Sequence, residues 1–85
     1  MQPVEIYTKA TCPYCIRAKR LLDRKSVAYS EISVDGDMAG QMKMAERSGG
    51  RSTVPQIFIG GRHIGGCDDL HDLDYDGKLD ALLAG

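Results

Sequence analysis

The stretch Val4-Glu5-Ile6-Tyr7-Thr8-Lys9-Ala10-Thr11-Cys12-Pro13-Tyr14-Cys15 decides how this chain is read. Val4 to Tyr7 is β-prone and Thr8 to Thr11 is polar, so a short strand runs into a loop. Cys12 and Cys15, with two residues between them, can face each other across one helical turn and close a small, reversible disulfide. Pro13 suits the first turn of a helix, where its missing N–H would have had no partner. Cys12 then stands at the positive end of a helix dipole, which favours thiolate over thiol. A strand before the pair and a helix after it give the context of a redox-active dithiol.

The rest of the chain extends that pattern. From Pro13 to about Lys25 no Gly or Pro intervenes, and Cys15, Ala18, Leu21 and Leu22 form an apolar stripe opposite basic residues. Val27 to Val34 is rich in β-branched and aromatic residues and roughly alternates, which predicts a second strand. Asp35-Gly36-Asp37 is a turn. Met38, Met42 and Ala45 recur at helical spacing up to the stop at Gly49-Gly50. Pro55 introduces Gln56 to Ile59 as a buried strand, Gly60-Gly61 is a two-residue hairpin signal, and Arg62 to Gly65 is the returning strand. Asp68 onward is helical, broken at Asp76-Gly77, with Leu79, Leu82 and Leu83 on a last short helix. A right-handed crossover makes the first two strands parallel. The hairpin strands are antiparallel, so the sheet is mixed, with helices on both faces. This order describes a thioredoxin-like α/β fold.

Composition narrows the class. Eighty-five residues, 1–85, are expected to form one small domain. Three cysteines are too few, and odd in number, for a disulfide framework. No basic–apolar–small leader and no membrane-length apolar run occur, so the expectation is a cytoplasmic protein in a reducing compartment. A net charge of −1 gives no reason to expect nucleic acid or an anionic membrane as partner. Basic residues nevertheless cluster at Arg17, Lys19, Arg20, Arg24 and Lys25, and acidic ones crowd Asp68 to Asp80.

A dithiol works when one sulfur is stabilised as thiolate and the other remains an ordinary thiol. Lowering a thiol pKa from about 8.5 to about 7 raises its thiolate fraction roughly 16-fold at neutral pH. The accompanying loss of nucleophilicity removes roughly a factor of 5, so attack gains only about threefold. The larger benefit is in leaving, because a low-pKa sulfur departs more readily from a mixed disulfide. Cys12, at the helix terminus with Lys9 three residues earlier, suits the attacking role, and Cys15, on the apolar stripe, the resolving one.

Three separated motifs, Cys12-Pro13-Tyr14-Cys15, Thr53-Val54-Pro55 and Gly65-Gly66-Cys67-Asp68-Asp69, resemble those of the glutaredoxin family over essentially the whole chain. The closest likeness is to the short bacterial dithiol type. The resemblance implies a four-stranded mixed sheet in the order 2-1-3-4. It also implies a glutathione-dependent thiol–disulfide oxidoreductase that reduces protein disulfides and protein–glutathione mixed disulfides through Cys12 and Cys15. Glutathione would be the reducing co-substrate, with no metal and no permanently bound cofactor. The chain would be a monomer, its partners disulfide-containing or glutathionylated proteins, ribonucleotide reductase being one candidate. Within the implied glutathione site, Pro55 is cis and the Val54 backbone pairs with the cysteinyl part, with Thr53 adjoining. Backbone amides of Cys67 and Asp68 meet the γ-glutamyl carboxylate, and a carboxylate of Asp68 or Asp69 its α-ammonium. Lys9 and Gln56 approach the glycyl carboxylate with Arg51 as helper, and Tyr14 flanks the mixed disulfide.

Other readings of the same residues are weaker. The cysteine pair with Cys67 and His63 or His71 could make a Cys₃His zinc set, but a second paired-ligand knuckle is missing. Asp72, Asp74, Asp76, Gly77 and Asp80 match the start of a calcium loop whose twelfth position, Leu83, is no ligand. Cys67 reads most simply as a small, semi-buried apolar residue. Two functional rivals are a hydrogen donor recharged by thioredoxin reductase and an iron–sulfur cluster-bridging dimer. Absence of Trp argues against the first, and Pro13-Tyr14 against the second.

Overall fold

In a computed structural model that describes every residue from Met1 to Gly85, strands β1 (Val4–Thr8), β2 (Tyr29–Ser33), β3 (Gln56–Ile59) and β4 (Arg62–Gly65) combine with four helices. These are α1 (Pro13–Arg24), α2 (Met38–Arg47), α3 (Cys67–Tyr75) and α4 (Leu79–Ala84), in the chain order β1-α1-β2-α2-β3-β4-α3-α4. The strands lie in the order β2-β1-β3-β4, as expected. β1 pairs parallel with β2 across the α1 crossover, while β1–β3 and β3–β4 are antiparallel. Thr8, read from sequence as loop, closes β1: it pairs with Ser33, and its hydroxyl donates to Glu31 at 2.7 Å.

Strand periodicity divides the core into two layers. Val4 and Ile6 of β1 and Ile57 and Ile59 of β3 point to one face, where they pack with Ala18, Leu21 and Leu22 of α1, Leu70 of α3 and Leu79 and Leu83 of α4. Tyr7 and Phe58 point to the other, with Val34 and Met44. Being covered on both sides, β3 is buried throughout, which is why its sequence is nearly all apolar.

The face that α2 turns inward differs from the expected Met38–Met42–Ala45 stripe. Met38 and Met42 are exposed, and Met44 is the buried methionine. At about 100° per residue, Met42 and Met44 stand on opposite sides of a helix, so only one of them can meet the sheet. The choice is made by polar groups that also face inward. Gln41 Nε2 donates to Val34 O at 2.9 Å. Arg47 donates to Glu5 Oε1 at 2.9 Å and to Tyr7 Oη at 2.8 Å, with its guanidinium 4.0 Å from the centre of the Phe58 ring. That bond to Arg47 holds the Glu5 carboxyl below the usual carboxylate range. Together these contacts fix the end of α2 and hence the origin of the segment leading to β3.

The β3–β4 hairpin turns through Gly60 and Gly61, both at positive φ (59° and 79°), the conformation that a tight two-residue connection of this hand requires. Phe58 pairs with His63 but Ile57 with Gly65, so Ile64 is an extra residue in β4 and the strand is bulged there. His63, directly opposite Phe58, shares its side of the sheet, with ring centres 5.2 Å apart.

Candidate active site

Cys12 is the N-cap of α1, with extended backbone angles and Pro13 directly after it in the first turn. The Cys15 N–H donates to Cys12 Sγ at 3.1 Å. In an ordinary helix this amide would take a Ser or Asp oxygen. Here it points at sulfur, and in the reduced protein it favours negative charge there, as does the helix dipole. Cys12 and Cys15 are joined as a disulfide, so the structure describes the oxidised state. Cys12 remains 8% exposed and Cys15 1%, which makes Cys12 the sulfur an incoming group can reach.

Cys12 Sγ lies 3.9 Å from Val54 O. With both sulfurs oxidised there is no S–H to donate, so this is a contact and not a hydrogen bond. The Val54–Pro55 peptide is cis. Val54 precedes β3, and neither its N–H nor its C=O is paired with another backbone group. An unpaired N–H and C=O on a half-buried residue at the rim of a groove can add one extended segment of another molecule. From Val54 a groove of about 290 Å³ continues between Tyr14 on one side, Arg51, Thr53 and Pro55 on another, and the Gly66–Asp69 turn.

That turn opens α3 with acidic residues in its first turn, Asp68 and Asp69. Asp69 is folded back: its Oδ2 accepts from Gly66 N at 2.8 Å and from Arg51 Nη1 at 3.1 Å. Gly65 has φ +122°, and a Cβ there would run into the Asp69 carboxylate, so glycine is required. Asp68 is exposed, lines the groove and forms no ion pair. The two carboxylates therefore differ in kind. Asp69 builds the turn, and Asp68 is available to a ligand.

The Gly66 N–H, and after it Arg51, hold the Asp69 carboxyl below the usual carboxylate range. A carboxyl depressed by folding contributes stability that is complete above its unfolded value, about 3.9, and lost as pH falls through the folded value. Asp69→Asn is therefore expected to lower Tm most above about pH 5, with the gap to the parent closing towards about pH 2. Thermal melts across that range check it. A gap independent of pH would mean that the charge of Asp69 does not support the turn.

The sequence-predicted residues separate into three groups. Cys12, Tyr14, Thr53, Val54, Pro55, Cys67, Asp68 and Asp69 are brought together at the dithiol and its groove. Lys9 is half-buried just after β1, three residues from Cys12, and is neither ion-paired nor part of the groove lining. Gln56 departs from the expected direct contact. It is 0% exposed, its Nε2 donates to Thr53 O at 3.0 Å, and its Oε1 is taken by His63 at 2.7 Å. β3 is central in the sheet, so its first side chain points into the core and not into the groove. Gly66, absent from the sequence-predicted residues, lines the groove through its backbone. Its place in the Gly-Gly turn was the available signal.

Cys67 is buried at 6% with a free thiol. Burial, then Asp68, pushes that thiol up, with Arg17 opposing. His71 Nδ1 lies 2.9 Å from Cys67 O and 3.5 Å from Cys67 Sγ. A carbonyl oxygen only accepts, so Nδ1 carries its proton and is not a base for the thiol. Tyr14 stands half out of the surface with Arg17 at 5.6 Å above its ring. No three His, Cys, Asp or Glu side chains converge as a metal-ligating group, and no helix is long and apolar enough to cross a membrane.

The glutaredoxin family model matches residues 4–64. Glutaredoxin 3 of Escherichia coli K12 is 60% identical over 83 residues, an alignment covering 98% of this chain and 99% of that protein. Among solved structures, the buckwheat glutaredoxin–glutathione complex superposes with a TM-score of 0.88 at 38% identity, covering 98% of this chain and 77% of that one. The Brucella melitensis glutaredoxin in solution gives 0.86 at 54% identity, covering 98% and 89%.

Proposed function

The chain belongs to the glutaredoxin family and is a thiol–disulfide oxidoreductase, and from that premise we propose that glutathione is its reductant, bound along the Val54–Asp69 groove. The observation that carries the reading is the meeting of two features at one sulfur. Cys12 Sγ receives the Cys15 N–H at a helix terminus, and it touches the unpaired Val54 backbone at the head of the groove.

The Cys12 thiolate attacks the glutathionyl sulfur of a protein–glutathione mixed disulfide. The protein thiolate leaves and takes up a proton, and glutathione is left on Cys12. A second glutathione thiolate then attacks the glutathionyl sulfur, forming glutathione disulfide and releasing Cys12 as thiolate. With a protein disulfide, Cys12 first forms a mixed disulfide with one protein sulfur. Cys15 attacks Cys12, closes the observed bridge and releases the reduced protein, and two glutathiones reopen it. No step needs a metal.

Thr53 and the Val54 backbone hold the peptide part of glutathione. The Cys67 and Asp68 amides, at the start of α3, receive the γ-glutamyl carboxylate, and the free Asp68 carboxylate its α-ammonium. Arg51, in the groove wall, and Lys9, three residues before Cys12, serve the glycyl carboxylate. Tyr14 flanks the mixed disulfide. The protein works as a monomer in the reducing cytosol on glutathionylated or disulfide-bearing proteins. Turnover of a small glutathione mixed disulfide, coupled to glutathione reductase, tests this reading. Turnover only when thioredoxin reductase is supplied would overturn it.

Cys67 has no place in this cycle. Cys67→Ser keeps the backbone amide and is expected to retain most activity under fresh reductant while slowing oxidative dimerisation. Steady-state rates check this. A loss comparable to that of Cys12→Ser would make Cys67 a third reacting thiol.

A further inference from the structure

We propose that His63 and Gln56 are positioning residues for glutathione: the imidazole on β4 fixes the Gln56 amide, and that amide holds Thr53 in place at the groove. The inference rests on the reading of the groove given above.

From Ser52 to Pro55 the chain runs between α2 and β3 with hydrogen bonds only through the side chain of Gln56. Its Nε2 donates to Thr53 O at 3.0 Å and to Thr53 Oγ1 at 3.3 Å. Thr53 is exposed, and Val54 next to it has both backbone groups unpaired. A ligand that pairs with Val54 therefore meets a segment whose geometry one buried amide sets.

An amide can flip end for end, and what prevents it here is His63. Thr53 O only accepts, so the nitrogen end of Gln56 must face it. The oxygen end then faces His63 Nε2 at 2.7 Å, and since Oε1 also only accepts, Nε2 must carry hydrogen. Inverting the amide would set the buried Gln56 oxygen against the Thr53 carbonyl oxygen and its NH₂ against the His63 donor. Pairing of His63 with Phe58, the two rings 5.2 Å apart and tilted by 40°, holds the imidazole on the face of the sheet that carries Gln56. Burial, then Arg51, pushes the imidazole towards its neutral form, with Asp69 opposing. Nε2–H is present in the neutral tautomer required and in the imidazolium, so the lock survives protonation.

Outer-shell partners of this kind act through the group they orient. His63→Leu keeps apolar bulk beside Phe58 and removes the donor, and His63→Gln returns an N–H at similar reach. With a glutathione–cysteamine mixed disulfide, His63→Leu is expected to raise KM about three- to tenfold with kcat within about twofold. His63→Gln should restore KM to within about twofold of the parent. Alkylation of Cys12 by iodoacetamide should proceed at the parent rate in both, which a general loosening of the site would not allow. An unchanged KM in His63→Leu overturns the proposal, as does a folded His63→Gln no better than His63→Leu. Should His63→Leu not fold, Gln56→Glu keeps the acceptor for His63 and loses the donors to Thr53. It is expected to raise KM likewise, and an unchanged KM there overturns the proposal. Asp68→Asn is measured alongside. If its KM moves and those of the His63 and Gln56 variants do not, the brace is wrong and the groove stands. If none moves, both fall.

Discussion

Cys12→Ser is expected to abolish disulfide exchange, by at least about a thousandfold, because it removes the sulfur that attacks the substrate and leaves binding alone. Cys15→Ser should behave differently. The hydrogen bond that stabilises Cys12 comes from the backbone N–H of residue 15, 3.1 Å from Sγ, and serine retains that N–H. The variant therefore keeps an activated Cys12 and continues to turn over glutathione mixed disulfides, which need no second protein thiol. It loses the dithiol reduction of protein disulfides, where Cys15 must expel the substrate sulfur. Assays of one glutathionylated substrate and one protein disulfide, run on both variants, separate the two roles. Equal loss of deglutathionylation in both would show that Cys15 does more than resolve.

Charge reversal at Asp68 is expected to have the next largest effect. Asp69 spends its carboxylate on Gly66 and Arg51, whereas Asp68 lies open on the groove with no partner. Loss of a charged hydrogen bond to an α-ammonium, with a like charge in its place, should raise KM for glutathione mixed disulfides about 10- to 100-fold. The effect should shrink with added salt, because the site is open to solvent. Lysine in the first turn of α3 also opposes the helix dipole by about 0.3–1 kcal/mol, so Asp68→Asn is the control for stability. The iodoacetamide reactivity of Cys12 should be unchanged, since α1 and not α3 sets it. A KM unmoved in a folded Asp68→Lys would take Asp68 out of the site.

What the amino-acid sequence determined by itself is whatever depends on near neighbours. Cys12 and Cys15 sit three residues apart, so one helical turn brings them together wherever the helix packs. Pro13 marks its first turn, Gly60-Gly61 closes a hairpin by backbone conformation alone, and the short apolar run Ile57–Ile59 between Pro55 and Gly60 reads as a buried strand. These local features, with a right-handed crossover, give the parallel β1–β2 pair and the β3–β4 hairpin; the order 2-1-3-4 that joins them is implied by the family resemblance and is the arrangement observed. The three spaced motifs carried the family and most of the groove. Tertiary packing decided the rest, because it turns on which of several equivalent side chains finds a distant partner. Met38, Met42 and Met44 are alike in sequence; Gln41 and Arg47, bonded to Val34, Glu5 and Tyr7, rotate α2 so that only Met44 is buried. Asp68 and Asp69 are likewise alike until Gly66 and Arg51 claim one of them. Gln56 looked like a ligand contact beside Pro55, yet the central position of β3 sends its side chain inward to His63 and Thr53, a pairing across seven residues and a bulge that no spacing announces.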